Sequence, residues 1–318
     1  MKGLTDVSGV LVGHASDFDA LTGVTAILCP GGAVAGGDIR GSATGTQDWE
    51  VLDPDHVTDR IHGVVFAGGS AFGLEAASGV RKFLEQKGIG FDTRYAKVPI
   101  VPGAILYDLG IGKASVRPTR EMGEAAAAAA NDGSVREGAI GAGTGATVGK
   151  ILGMRQAMKS GVGTFTVTAR GVVVSALVVV NAVGDVIDPK TGAIVAGARK
   201  GVDSREFANS AEVFKSGAAG PFKGSNTTLV AVATNAKLTK VQARKVARLA
   251  GNGMARAISP VNMMSDGDLI VAMSLGREDA SVDAVGIAAA EAVAEAILRA
   301  VRLAPTLGGV LGLRPTPR

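Results

Sequence analysis

The sequence is poor in several residue types, and each shortage excludes a class of function. One of its 318 residues is a cysteine, Cys29, so no intrachain disulfide can form and a reducing compartment is indicated. Aromatic residues make up 4% of the chain, which is too few to build stacking platforms for nucleic-acid bases. The net charge of +4 comes without a dense Lys/Arg run, so we expect no nucleic-acid partner.

Histidine and long apolar runs are also scarce. The three histidines, His14, His56 and His62, have no metal-ligand spacing, and none lies in a recognisable catalytic setting. We therefore predict no metal and no cofactor. The longest apolar run, residues 171–180, is shorter than the roughly 20 residues of a membrane span, and the N-terminus resembles no signal peptide. We expect a soluble cytoplasmic protein without a membrane partner.

The whole chain is 47% hydrophobic. Apolar strands alternate with amphipathic helices along it, and no linker divides it. This pattern predicts one domain over residues 1–318, a layered α/β fold with sheets buried between helices. Strands are predicted at residues 24–28, 63–67, 165–168, 172–180, 229–234 and 269–273, and helices at 74–84 and 120–131 and after Thr239 and Ser281. The glycine pairs at 31–32 and 36–37 are interpreted as strand breaks, and residues 200–223 as irregular.

Two glycine-rich stretches could hold chemistry, but both miss the known patterns. Around Ser70 the G-x-S-x-G motif of a nucleophile elbow is not met, so Gly69 and Ser70 are predicted to form the wall of a substrate pocket. Residues 141–150 fail the phosphate-loop pattern, because Thr144 stands where the first glycine belongs and Ile151 follows the lysine. A nucleotide site is therefore not expected.

The stretch from Gly224 to Thr228 leads directly into the apolar strand at 229–234. It is typical of a loop before a buried strand. The alternative is that the Asn226-Thr227 bond is cleaved. Thr227 would then begin a second chain and carry both a hydroxyl nucleophile and an α-amine that acts as its base. This chemistry requires no histidine, which suits the composition.

Other residues have side chains that could assist such a nucleophile. Asp266 and Asp268 could hold the amine, orient the hydroxyl or accept a proton, although an Asp-Gly-Asp sequence is also a common turn. An oxyanion needs hydrogen-bond donors. Tyr107 and Asn181 could supply hydrogen bonds, and Lys150 a positive charge.

Several stretches together resemble one known family. They are residues 5–10, 34–41, 68–74, 98–102, 107–109, 226–228, 232–236 and 266–268. The chain is similar in these stretches to the self-processing DmpA-type aminopeptidases, which include L-aminopeptidase/D-esterases, β-peptidyl aminopeptidases and nylon-oligomer hydrolases. The similarity extends over nearly the whole length.

The resemblance implies an αββα sandwich of the DmpA/ornithine acetyltransferase type. It also implies self-cleavage into a large chain, 1–226, and a small chain, 227–318, assembled as a homo-oligomer of processed heterodimers. Thr227 corresponds to the nucleophile and Asn226 to the residue before the cut. Tyr107 and Asn181 match positions that bind the oxyanion or substrate. Lys150 and the Asp266–Asp268 pair match the nylon-hydrolase branch.

The departures from the family pattern narrow the expected substrate. The aminopeptidase members use a serine nucleophile after a small residue, whereas this chain has an Asn-Thr junction and paired aspartates. We therefore expect hydrolysis of a small peptide or amide. A cut at Gly224-Ser225 is disfavoured by the register of the downstream strand. The alternatives are acyl transfer to an amine, as in ornithine acetyltransferases, and a non-catalytic ligand-binding relative.

Overall fold

The computed structural model describes residues 1–218 and 226–315. The strands are β1 (Leu11–Asp17), β2 (Thr22–Ile39), β3 (Thr46–Gln47), β4 (Arg60–Ala67), β5 (Phe91–Asp92), β6 (Lys97–Val98), β7 (Gly103–Ile105), β8 (Thr147–Val148), β9 (Met158–Lys159), β10 (Val162–Ala169), β11 (Val172–Asn181), β12 (Asp185–Ile187), β13 (Ile194–Ala196), β14 (Thr227–Ala236), β15 (Ile258–Ser259) and β16 (Leu269–Glu278). The helices are α1 (Ala76–Gln86), α2 (Arg120–Ala128), α3 (Ser210–Lys215), α4 (Lys240–Ala257) and α5 (Val282–Arg302).

Nine strands form one sheet in the order β10-β11-β14-β16-β2-β4-β7-β3, and β1 pairs with β2. The long strand β2 joins the two halves of this sheet. Its last residues, 34–39, pair with β16. Its first residues, 24–28, pair with β4, and the register shifts between Leu28 and Ala33. Such an irregularity bends a strand, so β2 passes from one half to the other.

Side chains alternate along these strands and separate three apolar layers. Val178 and Val230 face helices α4 and α5, whereas their neighbours Leu177 and Leu229 face an inner core. In the other half of the sheet, Ile27 joins that inner core and Ala26 faces α1 and α2. The arrangement is helices, sheet, sheet, helices, which agrees with the predicted αββα sandwich.

The predicted elements largely coincide with the observed ones. Thr239 caps α4 through a capping box with Gln242, and Ser281 is the N-cap of α5. Two expectations were wrong. The pairs at 31–32 and 36–37 do not end a strand, because β2 continues through them. The region after residue 200 contains the short helix α3.

Within the described residues no helix is long and apolar enough to cross a bilayer.

Strand pairing determines which loops meet at one edge of the sheet. Antiparallel pairing of β11 and β14 sets Asn181 opposite Thr227. Parallel pairing of β14 and β16 aligns Leu229 with Leu269, and a further parallel bridge joins Asn226 to Asp266. Parallel neighbours begin at the same edge of a sheet. The segment before β16 therefore lies beside the first residue of β14.

Candidate active site

Thr227 is the first residue of β14, and its side chain is buried. Its hydroxyl donates a hydrogen bond of 2.6 Å to the carbonyl oxygen of Asn226. The backbone N–H of Gly267 donates a second hydrogen bond, 2.7 Å long, to the same oxygen. The carbonyl before Thr227 is therefore polarised by two donors, one of which is the hydroxyl that the sequence predicts to be a nucleophile.

The two buried carboxylates of the Asp-Gly-Asp segment have different surroundings. Both oxygens of Asp268 accept backbone N–H groups, from Thr228 at 2.5 Å and from Asn262 at 3.0 Å. In Asp266, one oxygen accepts the Met263 N–H at 2.8 Å. The other oxygen, Oδ1, has no partner within the described part of the chain. Asp268 therefore anchors the backbone that follows Thr227, and Asp266 keeps one oxygen available.

Lys150 lies in a short 3₁₀ helix, Lys150–Leu152, and is buried beside the end of β11. Its ammonium donates to the backbone oxygen of Asn181 at 2.7 Å and to the side-chain oxygen of Asn181 at 2.9 Å. The Asn181 amide nitrogen donates to the Tyr107 carbonyl at 2.9 Å. Asn181 thus links Lys150 to the loop of Tyr107, whose own contact in this network is through its backbone.

Burial shifts the ionisation of these groups. Desolvation lowers the pKa of Lys150 to about 7, although the nearby charges of Asp266 and Asp268 oppose the shift. Desolvation raises the pKa of Asp266 and Asp268, and for Asp268 the neighbouring Asp266 charge raises it further. Groups that can exchange protons near neutral pH are typical of catalytic sites, although buried ion networks show such shifts too.

The predicted pocket wall, Gly69 and Ser70, is tied to the site through Asp108. The Gly69 N–H donates to one oxygen of Asp108 at 2.7 Å, and the Thr22 hydroxyl donates to the other at 2.7 Å. The Ser70 N–H donates to the Leu106 carbonyl at 3.0 Å. Ser70 begins a 3₁₀ helix, Ser70–Glu75. The Gly69 loop thereby packs against the loop of Tyr107 and Asp108.

A cavity of about 140 Å³ opens beside Lys150. Its lining includes Tyr107, Asp108, Gly110, Ile111, Gly145, Thr147, Gly153 and Met154. Ser70 does not belong to this lining. The cavity connects the Tyr107 loop with the segment that ends in Lys150, so it lies next to the groups that surround Asn181.

For three residues of this region the sequence analysis predicted no role. Gly267 stands between the two predicted aspartates and contributes only its backbone N–H. Asp108 is a carboxylate in an otherwise apolar stretch beside Tyr107, a signal that could have identified it. Lys159 is fully buried, and its ammonium donates to the carbonyls of Gly143 and Ala146. These hydrogen bonds fix the glycine-rich segment before Lys150.

The histidines and the cysteine, for which no catalytic role was predicted, have ordinary structural surroundings. Each histidine ring has a hydrogen-bond partner: Thr25 for His14, the Thr58 N–H for His56, and the Ile100 N–H for His62. Cys29 is buried. Residues 1–218 and 226–315 contain no group of His, Cys, Asp or Glu side chains suited to a metal ion. Gly224 and Ser225 lie outside the described residues.

Comparison with known sequences identifies related proteins over nearly the whole chain. The model of Peptidase family S58 matches residues 2–314. An uncharacterized aminopeptidase of Mycobacterium leprae is 38% identical over 306 residues, which cover 89% of this chain and 81% of the relative. A 6-aminohexanoate-oligomer endohydrolase of Kocuria sp. is 31% identical over 277 residues, which cover 86% of this chain and 75% of the relative.

Solved structures share the fold. A β-aminopeptidase of a Burkholderia species superimposes with a TM-score of 0.69 at 23% identity, over 98% of this chain and 91% of the other. An L-aminopeptidase D-Ala-esterase/amidase of Ochrobactrum anthropi, described as a variant of the Ntn hydrolase fold, has a TM-score of 0.70 at 20% identity, over 99% and 91%. The predicted layered α/β fold class is thereby confirmed.

Proposed function

Because the chain belongs to peptidase family S58, as its resemblance to the DmpA-type enzymes predicted, we propose that it is a self-cleaving hydrolase of amide bonds with Thr227 as its N-terminal nucleophile. The observation that carries the proposal is the geometry at the Asn226 carbonyl. Its oxygen accepts hydrogen bonds from the Thr227 hydroxyl at 2.6 Å and from the Gly267 N–H at 2.7 Å.

Self-cleavage would begin with attack of the Thr227 oxygen on the Asn226 carbonyl carbon. The negative charge that forms on the carbonyl oxygen would be stabilised by the Gly267 N–H, which already points at that atom. We assign the hydroxyl proton to the open oxygen of Asp266. Expulsion of the Thr227 nitrogen, which takes up a proton, leaves an ester between Asn226 and the Thr227 oxygen. This step frees the Thr227 amine. Water then hydrolyses the ester, which releases the Asn226 carboxylate and restores the Thr227 hydroxyl.

The free amine would replace Asp266 as the base in the second reaction. An unperturbed α-amine has a pKa of about 7.7–8.0, so it can accept the hydroxyl proton near neutral pH. The Thr227 oxygen then attacks the substrate carbonyl, the leaving amine takes up a proton, and an acyl ester of Thr227 forms. Hydrolysis of this ester releases the acid and restores the Thr227 hydroxyl.

The surrounding residues would hold these groups in position. Asp268 binds the Thr228 N–H and so fixes the backbone that bears the nucleophile. Lys150 places a positive charge near Asp266, which favours the ionised carboxylate. Asn181 accepts a hydrogen bond from Lys150 and donates one to the Tyr107 carbonyl at the cavity. Gly69 and Ser70 would support this loop through the hydrogen bond from the Gly69 N–H to Asp108. Residues 1–226 and 227–318 would form the two chains of the processed protein.

The relatives suggest the class of substrate. The Mycobacterium leprae relative is described as an aminopeptidase, and the Kocuria relative as an endohydrolase of 6-aminohexanoate oligomers. Both names denote hydrolysis of an amide bond. We therefore propose a small peptide or an ω-amino-acid oligomer as the substrate of this chain, with the acyl group transferred to water.

A denaturing gel of the purified protein tests the nucleophile. The wild type is expected to give two fragments that end and begin at Asn226 and Thr227, and N-terminal sequencing of the smaller one should begin with Thr227. The variant Thr227→Ala should remain one intact, inactive chain. Thr227→Ser keeps a hydroxyl and should still be cleaved, so it is the matched control.

Turnover is measured separately on a panel of amides and esters. Product analysis with and without an added amine distinguishes hydrolysis from acyl transfer. An intact wild-type chain that turns over substrate would contradict the proposed nucleophile. A cleaved chain that acts on no amide or ester would contradict the proposed hydrolysis.

A further inference from the structure

The cavity beside Lys150 is lined mostly by apolar surface. Ile111 and Met154 of this lining belong to a small apolar cluster with Leu21, Leu307 and Val310. Thr147 and Lys150 supply polar groups, and the Thr147 hydroxyl lies 4.0 Å from the Met154 sulfur. A ligand that enters would therefore place an apolar group against Ile111 and Met154.

The volume of the cavity limits what it can hold. It measures about 140 Å³, and an apolar cavity of about 150 Å³ in another protein admits benzene. A group of about six carbon atoms therefore fits. Met154 has a flexible, unbranched side chain and can adjust to ligands of different shape.

The lining of the cavity offers little to a cationic group, because most of it is apolar. Lys150 contributes its ammonium, and the buried Lys159 lies behind the glycine-rich segment. Asp108 is the carboxylate in the lining, but both of its oxygens already accept hydrogen bonds, from the Gly69 N–H and the Thr22 hydroxyl. The charges of Asp108, Asp266 and Asp268 act on Lys150, so they do not compensate a second cation in the cavity. A substrate ammonium that entered the cavity would lose its hydration.

We propose that this cavity binds the acyl side chain of the substrate and selects an uncharged aliphatic chain of about four to six carbons, with Gly110 and Met154 setting its length. The assignment rests on the proposed function, because it requires that Thr227 be acylated beside Asn181.

Gly110 and Met154 offer variants that change the cavity without straining the chain. A Cβ added at Gly110 meets only the Met154 Cγ, at 4.0 Å, which is an ordinary contact. Gly110→Val therefore fills the space in front of Met154. Met154→Ala enlarges the same space. Gly31→Val is the control, because a Cβ there has no neighbour within 4 Å and Gly31 lies on β2, outside the cavity lining.

The experiment compares alanyl, norleucyl and lysyl p-nitroanilides. The norleucyl and lysyl side chains have the same four carbons and differ by the terminal ammonium. The wild type is expected to prefer norleucyl over both others in kcat/KM by about tenfold or more, the range that small differences in a hydrophobic pocket produce. Gly110→Val should lose most of the norleucyl preference and keep alanyl hydrolysis. Met154→Ala should extend the preference to 2-aminooctanoyl.

The outcomes separate this assignment from the proposed function. A lysyl preference, or a norleucyl preference unchanged in Gly110→Val, would overturn the pocket assignment and leave the hydrolase intact. Self-cleavage of Gly110→Val, read on a denaturing gel, shows that the site is assembled. Absence of both self-cleavage and hydrolysis in the wild type would overturn the proposed function, and the pocket assignment with it.

Discussion

At the scale of single residues, hydrogen-bond direction separates two aspartates that look equivalent in the sequence. Asp268 accepts an N–H at each oxygen, so its carboxylate is fully used in holding backbone. Asp266 uses one oxygen and keeps the other open. We infer that Asp268 positions the strand of Thr227 and that Asp266 exchanges protons with it.

Asparagine substitutions are predicted to separate these roles. In Asp268→Asn an amide NH₂ must face a backbone N–H, and a buried donor left unsatisfied costs about 1–3 kcal/mol. We expect a lower melting temperature for Asp268→Asn. Asp266→Asn can turn its oxygen toward the Met263 N–H, so it should melt near the wild-type temperature but cleave itself much more slowly. Equal melting temperatures for the two variants, measured by calorimetry, would contradict this assignment.

The pH dependence of self-cleavage follows from the raised pKa of Asp266. An ordinary aspartate has a pKa of about 3.9, but burial keeps Asp266 protonated at higher pH. Because the ionised form accepts the proton, the cleavage rate should decrease as the pH is lowered, and the decrease should begin above the ordinary aspartate range.

Lys150→Met gives a second test of this pH dependence. It removes a positive charge that lowers the pKa of Asp266, so the decrease should move to higher pH. Cleavage rates measured across the pH range for both proteins test the shift. A profile that does not move in Lys150→Met would exclude this coupling.

At the scale of elements, small residues allow the helices to approach the sheet closely. A Cβ added at Gly163 of β10 would lie 2.0 Å from the Ala296 carbonyl oxygen of α5. A Cβ added at Gly36 of β2 would lie 2.3 Å from the Arg244 nitrogen of α4. Because the obstructing atoms are backbone, a whole helix would have to move to accommodate a side chain.

Alanine at Gly163 is therefore predicted to destabilise the fold. Overpacking a tight core costs about 1–3 kcal/mol, and we expect a loss of that order in the free energy of unfolding. Gly31→Ala, where no atom lies within 4 Å, is the matched control and should stay within about 0.5 kcal/mol of the wild type. Denaturant titration measures both. Equal midpoints would show that α5 yields easily to the added methyl group.

At the scale of the whole molecule, the expected cut lies between segments that share one sheet. The small chain would contribute β14 and β16, which lie between β11 and β2 of the large chain. Helices α4 and α5 would also belong to the small chain, and they cover one face of that sheet. The two chains are thus interleaved through a common core.

We predict that the cleaved chains stay together under native conditions. Separation would expose the inner core and the paired edges of β11 and β2, which is costly for apolar surface and for backbone hydrogen bonds alike. Size-exclusion chromatography should give one species containing both fragments, and a denaturing gel of the same fraction should resolve them. The eluted mass also tests the predicted homo-oligomer. Fragments that separate without denaturant would contradict the interleaved arrangement.

The sequence by itself determined the local features. Short apolar runs and helical spacing predicted the main strands and helices, and the shortage of histidine directed attention to Thr227 and its neighbour Asn226. These are properties of short segments, in which residue type and spacing act directly on backbone conformation. The continuous path of β2 through its glycines was not predictable, because pairing on both sides overrides their local preference.

Only the tertiary structure decided how the distant residues combine. Strand order set Asn181 opposite Thr227 and brought the Gly267 N–H to the Asn226 carbonyl. It also distinguished Asp266 from Asp268 and enclosed the cavity beside Lys150. Hydrogen-bond direction and enclosed volume depend on contacts between residues far apart in the chain. The sequence therefore supplied the candidate groups of the proposed site, and the roles proposed for them follow from the way the sheet assembles them.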